Sequence, residues 1–249
     1  MRSAKHFSWT VALLAIGSIA TVAYAQSGQM ARIHAAMMSP DRPQGDKDKD
    51  EARKPAQVIE MLGVKDGMTA LDVFAFGGYY TRLLSAAVGP SGKVYSQNPD
   101  FLVSRPKFMD DERALQEQLG NMMPIHGDIK GIDGQVDVAL TNQNLHDVYN
   151  NGGSPAAVGL LGSIYKALKP GGVLGVIDHQ GMRDNDDLNK QNHRMDVGAA
   201  EDALKQAGFT IVSTSDLLHN PADDHMHRTM DESLHGNSDR FFIIAKKPG

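Results

Sequence analysis

The chain predicts an α/β protein built on a doubly wound, mostly parallel sheet. Short apolar runs of strand length alternate with amphipathic helical stretches from about residue 55 to the end, the pattern of repeated βαβ units. Glycine-containing breaks separate them, at Gly77-Gly78, Gly89-Pro90-Ser91-Gly92 and Lys169-Pro170-Gly171-Gly172, where left-handed or tight backbone is needed. With 249 residues, 41% hydrophobic and 22% charged, the chain suffices for one full domain plus a short extension.

The elements follow in order. Val58, Ile59 and Leu62 are spaced for a helix over 56–62 that Gly63 closes. A first strand is expected over 68–74, a helix over 79–88 and a second strand over 93–96, which together make one βαβ unit. A helix over 110–119, a strand over 122–125 and a strand over 136–141 come next. Ser154 as N-cap and Pro155 at the first position open a helix over 154–168. The apolar run 173–177 is short enough for a buried parallel strand. A helix over 197–207 closed by Gly208, a strand over 209–215 and a last strand over 241–245 complete the alternation.

Residues 1–25 read as a secretory signal. Arg2 and Lys5 precede an apolar run from Trp9 to Ala23 that ends in Ala23-Tyr24-Ala25, a positive region, a short apolar core and a small-residue cleavage site. The run is shorter than the ~20 residues a spanning helix needs, so a periplasmic or secreted protein without a membrane anchor is expected after cleavage. Residues 26–54 are polar and dense in mixed charge, as in Gly45-Asp46-Lys47-Asp48-Lys49-Asp50-Glu51. They read as a flexible extension carrying at most a short helix over 30–38, with the folded domain over 55–249.

Cysteine is absent, which excludes disulfides, thiolate metal sites and cysteine nucleophiles. A formal charge of −5 offers no general attraction for a phosphate backbone, so a small-molecule substrate is expected rather than nucleic acid.

Ligands of open α/β sheets sit beyond the carboxyl ends of the strands, where strand order reverses. That rule directs attention to residues 75–79, Gln97-Asn98, residues 142–147 and Asp178-His179. His146 beside Asp147, and His179 beside Asp178, are the candidate proton-transfer groups because histidine titrates near neutral pH. Tyr80 is expected to pack against the sheet.

The run Leu71-Asp72-Val73-Phe74-Ala75-Phe76-Gly77-Gly78 with Gly92-Lys93-Val94-Tyr95, and Leu168-Lys169-Pro170-Gly171-Gly172, resemble the motifs of class I S-adenosylmethionine-dependent methyltransferases. With Asn144-Leu145-His146-Asp147, Val176-Ile177-Asp178-His179 and Asp239-Arg240-Phe241, the pattern is most similar to exported bacterial proteins described as predicted methyltransferases. The resemblance implies a Rossmann-like sheet of seven strands in the order 3-2-1-4-5-7-6, with strand seven antiparallel. It implies S-adenosylmethionine as cofactor, with Asp72, Ala75, Gly77 and Gly78 at its methionine part, Asn98 at the ribose, Asp128 at the adenine amino group and Asn142 beside the methyl-transfer cleft. His146, Asp147 and His179 become the candidate catalytic residues. The Gly77-Gly78 pair and the Lys169–Gly172 bend are expected to border one crevice.

Two departures from the motif stand out. Phe74 and Phe76 flank Ala75 where glycines are usual, and Asn98 stands where an acid usually accepts from both ribose hydroxyls. An amide offers one uncharged acceptor, a loss of roughly 1–2 kcal/mol relative to a carboxylate. A methyltransferase-like ligand-binding protein with weak or lost cofactor binding is therefore one alternative to an enzyme. A second alternative rests on residues 217–239, an insertion holding His219, Asp223, Asp224, His225, His227 and His235. That set reads as a lid over the cleft, or as the ligands of a metal-dependent hydrolase.

Overall fold

The computed structural model describes residues 28–249, so the expected export signal lies outside the described residues. Seven strands form one sheet in the order β3-β2-β1-β4-β5-β7-β6. They are β1 (Thr69–Val73), β2 (Lys93–Asn98), β3 (Met122–His126), β4 (Val136–Asn142), β5 (Leu168–His179), β6 (Thr210–Ser215) and β7 (Arg240–Lys246). The first five run parallel, while β7 is antiparallel to both β5 and β6. This is the order, with the antiparallel seventh strand, that the motifs imply.

Strict alternation along the central strands sends side chains to two separate cores. Leu71, Val73, Ala139, Leu174, Val176 and Ile243 face one side, where Leu161 and Ile164 of α8 (Leu145–Ala167) and Leu204 of α10 (Val197–Gln206) cover them. Ala70, Val138, Leu140, Ile177 and Phe242 face the other. There they meet Val58 and Ile59 of α4 (Pro55–Met61) and Leu83 and Leu84 of α5 (Tyr79–Val88). Gly175 of β5 leaves room for that packing, since a Cβ there would come within 2.7 Å of Leu62.

Several elements differ from expectation. The helix expected over 110–119 starts earlier, as α7 (Pro106–Leu119), because Pro106 occupies the first turn, where its missing N–H costs nothing. The helix expected from Ser154 is the second half of α8. Gly153, at φ 68° and ψ −169°, breaks the helical path just before Pro155, and a first half from Leu145 precedes it. Between β5 and α10 lies α9 (Asp186–Asn192), capped by the Asn185 side chain on the Leu188 N–H.

Residues 26–54 depart most, for the described part is folded. Helix α1 runs through 28–38, followed by α2 (Gln44–Lys47) and α3 (Asp50–Arg53). Ile33 is fully buried in the second core, and the Gln29 amide donates to Val64 and Ala87 carbonyls. The charges that suggested a solvated tether pair internally. The Arg42 guanidinium, 3% exposed, donates twice to Asp50 at 2.5 and 2.7 Å, and the Tyr79 hydroxyl donates to the same carboxylate at 2.7 Å.

The Lys169–Gly172 bend also corrects an expectation. It forms the first residues of β5, a parallel strand, and so lies at the amino rim of the sheet, where Gly171 and Gly172 exchange backbone bonds with Lys247. Gly77 and Gly78 follow β1 and lie at the carboxyl rim, and the two segments do not share a crevice.

Because removing one partner of a buried ion pair strands the other, Arg42→Ala is expected to lower stability by roughly 2–4 kcal/mol. Urea denaturation measures it, and an unchanged midpoint would show that α1 to α3 contribute nothing to the fold.

Candidate functional site

The crevice lies at the carboxyl ends of β1 and β4, the point where strand order reverses. It divides into two hollows. One, of about 320 Å³, is lined by Asp72, Phe74, Ala75, Phe76, Gly77, Tyr79, Tyr80 and Asn142–Asn144, with Asp46, Lys49 and Arg53 forming a wall. The other, of about 370 Å³, is lined by Phe74, Gln97, Asp100, Gly127, Asp128, Ile129, Val148 and Leu160. Phe74 borders both. A wider hollow of about 620 Å³ opens among Tyr149, Arg183, Asp186 and α10, and takes none of these strand-end residues.

The first hollow is lined by groups of both charges, with Asp46 beside Lys49. Arg53, stacked 4.5 Å from the Tyr79 ring, donates to Gln143 at 2.8 Å, and Lys49 stands near it. Asp72 and Asn142 also line it, the Asn142 side-chain oxygen being a buried acceptor with no donor. Asp72 is 3% exposed and accepts from the Thr81 hydroxyl at 2.6 Å. Burial pushes its carboxyl up to about 7, against the bonds from Thr81 and the charge of Arg53. Tyr80 packs where expected, 3% exposed; Tyr79 is buried as well.

The loop after β1 explains the amides of β2. Phe74 and Phe76 stand at φ 53° and 48°, in the left-handed region that glycine adopts at little cost. Gln97 accepts from the Phe74 N–H at 3.0 Å and donates to the Gly127 carbonyl at 2.7 Å. Asn98 accepts from the Phe76 N–H at 2.7 Å and donates to Glu112 at 3.0 Å. A carboxylate could accept but not donate, so each amide ties two segments together where an acid would hold one. Asn98 is fully buried with both polar atoms engaged; the structure does not bring it to the crevice surface, where a ribose contact was expected. Gly78 stands at φ 79°, where a side chain would be strained, and a Cβ would also displace Leu115, whose side chain lies 2.4 Å away.

Of the other expected cofactor residues, Asp72, Ala75, Gly77 and Asn142 line the first hollow and Asp128 the second. Asp128 is solvent-facing and pairs with Lys130 at 2.8 Å.

The three expected catalytic residues come together at the ends of β4 and β5. Asp178, fully buried, accepts from the His146 N–H at 2.8 Å, binds His146 Nδ1 at 2.6 Å and accepts from the His179 N–H at 2.8 Å. His146 Nε2 lies 3.2 Å from Asp147. Burial disfavours charge on His146, but Asp178 and Asp147 outweigh it and raise the ring to about 10. Burial lowers His179 to about 3, aided by the positive charge of His146 and two arginines against Asp178; its Nδ1 meets the Ser238 hydroxyl at 2.6 Å. One ring is thus a cation and its neighbour, 5.4 Å away, is neutral. His193 joins them, its ring 6.0 Å from His146. No sequence signal marked it, because it lies nearly fifty residues away on the loop after α9. Arg53 and Lys49 were missed because their segment read as solvated.

Loop 217–239 supplies none of the described residues lining the two hollows. Its Asp223 is neutralised by bidentate bonds from buried Arg194 at 2.9 and 3.0 Å, and His219 and His225 both bind Asp239. Among the described residues no metal-ligand group converges there, so neither the lid nor the hydrolase reading finds support.

Asp72 sets a pH dependence. Unfolded, it releases its proton near pH 4; folded, it holds the proton to about pH 7. The native state binds the extra proton between those values, so raising pH through that window lowers stability, by at most ~4 kcal/mol. Asp72→Asn is expected to remove that slope, read as urea unfolding free energies at pH 5 and pH 8; an undiminished slope assigns the effect elsewhere.

No protein-family model matches the chain. It is 31% identical over 117 residues to a demethylmenaquinone methyltransferase of Geobacillus, covering 46% of each chain. It is 25% identical over 187 residues to a sterol 24-C-methyltransferase of Kluyveromyces lactis, covering 68% of this chain and 47% of that one. The chain thus spans about half the length of these curated relatives. A crystal structure of an S-adenosylmethionine-dependent methyltransferase from Aquifex aeolicus superposes with a TM-score of 0.57 at 20% identity, over 80% of this chain and 92% of that one. With the strand order 3-2-1-4-5-7-6 and an antiparallel seventh strand, the chain has the fold of class I methyltransferases.

Proposed function

We propose that this protein binds S-adenosylmethionine and transfers its methyl group to a small-molecule acceptor, acting outside the cytoplasm. The observation that carries the reading is the pair of hollows joined at Phe74. The first sets Arg53 and Lys49 against Asp72 and the unpaired Asn142 oxygen, a complement to the carboxylate and ammonium of an amino-acid tail. The second offers the apolar Ile129, Val148 and Leu160 with Asp128 at its edge, which suits a flat heterocycle bearing an exocyclic amine, and the Phe74 ring stands between the two hollows. The curated relatives named above are methyltransferases, and the amino-terminal sequence supports export.

The residues present fit the cofactor at both ends and are tight in the middle. Bound there, it supplies an activated methyl group, and the protein's work is alignment, since holding reactants in line accounts for most of the acceleration such a transfer needs. Arg53 and Lys49 would hold the carboxylate, and Asp72 would accept from the ammonium. Neutral His179, with the His146–Asp178 pair beside it at the carboxyl ends of β4 and β5, is the ring that would take an acceptor's proton.

Calorimetric titration with S-adenosylmethionine and with S-adenosylhomocysteine tests the reading. Saturable binding is expected, weakened by Asp128→Ala. His146→Ala is expected to lower turnover while sparing that binding. Absence of heat at millimolar ligand would overturn the cofactor assignment and leave a binding protein for some other ligand. Phe74→Ala is expected to tighten cofactor binding about two- to tenfold, since displacing a side chain from its rotamer costs ~0.5–1.5 kcal/mol. Weaker binding in that variant would make the ring a platform for the ligand rather than a barrier.

A further inference from the structure

We propose that His146, Asp147 and His193 form a binding site for a divalent transition metal of the zinc class, beside the methyl-transfer crevice and independent of the cofactor assignment. One donor atom from each residue lies within 4.8 Å of the other two. Asp147 Oδ1 is 3.2 Å from His146 Nε2 and 3.4 Å from His193 Nδ1. A tetrahedral zinc site with bonds of 2.0–2.1 Å has ligand-to-ligand edges of about 3.3 Å. Two imidazole nitrogens and a carboxylate oxygen favour zinc, iron or nickel over magnesium or calcium, which prefer oxygen alone.

The surroundings are those of a prepared ligand set. His146 presents Nε2 because its Nδ1 is engaged by Asp178, a fully buried carboxylate held in place by two further backbone N–H bonds; the metal takes the place of the proton that Nε2 carries in the metal-free protein, which is released to solvent. A carboxylate behind the ligating histidine fixes ring orientation and raises ligand basicity. His193 stands in left-handed backbone at φ 54°, an arrangement that needs support from its neighbours. It has that support: the next residue, Arg194, is fully buried on Asp223 and the Gln180 and His227 carbonyls, and Met195 is 1% exposed.

Three protein ligands leave a coordination position open. The Asp147 and His193 side chains are 55% and 43% exposed, so that position faces solvent and can take water or an oxygen-bearing ligand. This is the arrangement of a catalytic rather than a purely structural zinc site.

The test is zinc titration of untagged, chelator-stripped protein against a chromophoric competing chelator, with circular dichroism confirming that each variant folds. One zinc per chain is expected, with a dissociation constant of about 1 µM or tighter. His193→Ala and Asp147→Ala, both at exposed positions, should each weaken it at least tenfold, and Asp178→Asn about 10- to 100-fold through the orientation of His146. His225→Ala, in the C-terminal loop, should leave it unchanged. Binding weaker than about 100 µM in the wild type, binding unaffected by His193→Ala, or binding lost with His225→Ala would each overturn the site. None of these outcomes depends on S-adenosylmethionine, so the metal site and the cofactor reading stand or fall separately.

Discussion

The reversal of strand order at β1 and β4 is the constraint on which the rest depends. Both strands run parallel and lie side by side, but the chain leaves β1 toward β2 on one side and leaves β4 toward β5 on the other. Their outgoing loops diverge, and the gap between them is where backbone N–H groups, strand-end side chains and solvent meet. Phe74 to Gly78 form one wall and Asn142 to Asp147 the other. The first hollow opens in that gap, and the histidine pair stands at the ends of β4 and β5.

Within this frame the unusual residues of the β1 loop make physical sense together. Left-handed backbone at Phe74 and Phe76 is costly for bulky side chains, and the N–H groups of both residues turn inward, away from water. Gln97 and Asn98 satisfy them and in the same stroke grip Gly127 and Glu112. The substitution of an acid by an amide therefore reads as a change in what the end of β2 is for: it holds the loop, where an acid would hold a ligand.

The sheet and its two cores were readable because alternation along a strand is a local property, and a buried parallel strand tolerates little else. Residues such as Asp72 and Asn142 could be placed on the crevice lining because the carboxyl-end rule needs only strand boundaries; the same rule leads to His146 and Asp178 at the ends of β4 and β5, which are buried and line neither hollow. Other features depended on pairings that composition hides. Arg42 and Asp50 look solvated until the fold brings Tyr79 against them, and His193 reaches His146 only through the path of α9. The error over the Lys169–Gly172 bend had a different origin: a turn entering a parallel strand and a loop leaving one occupy opposite rims, and motif likeness carries no such direction.

The wall formed by α2 and α3 is fastened by the far end of the chain. Arg240 of β7 donates to the Ala52 carbonyl, and the Lys54 amine to that of Leu217, contacts separated by 188 and 163 positions in sequence. Loop closure over such spans has to be met before the wall gains anything from it. The charged hollow is therefore coupled to the end of the chain, since its wall lacks these two contacts until β7 and the segment at Leu217 are in place. A nascent chain lacking that strand presents an open, uncommitted sheet edge instead of a receptor, and anything that grips Arg53 in the finished molecule ties the beginning of the fold to its end.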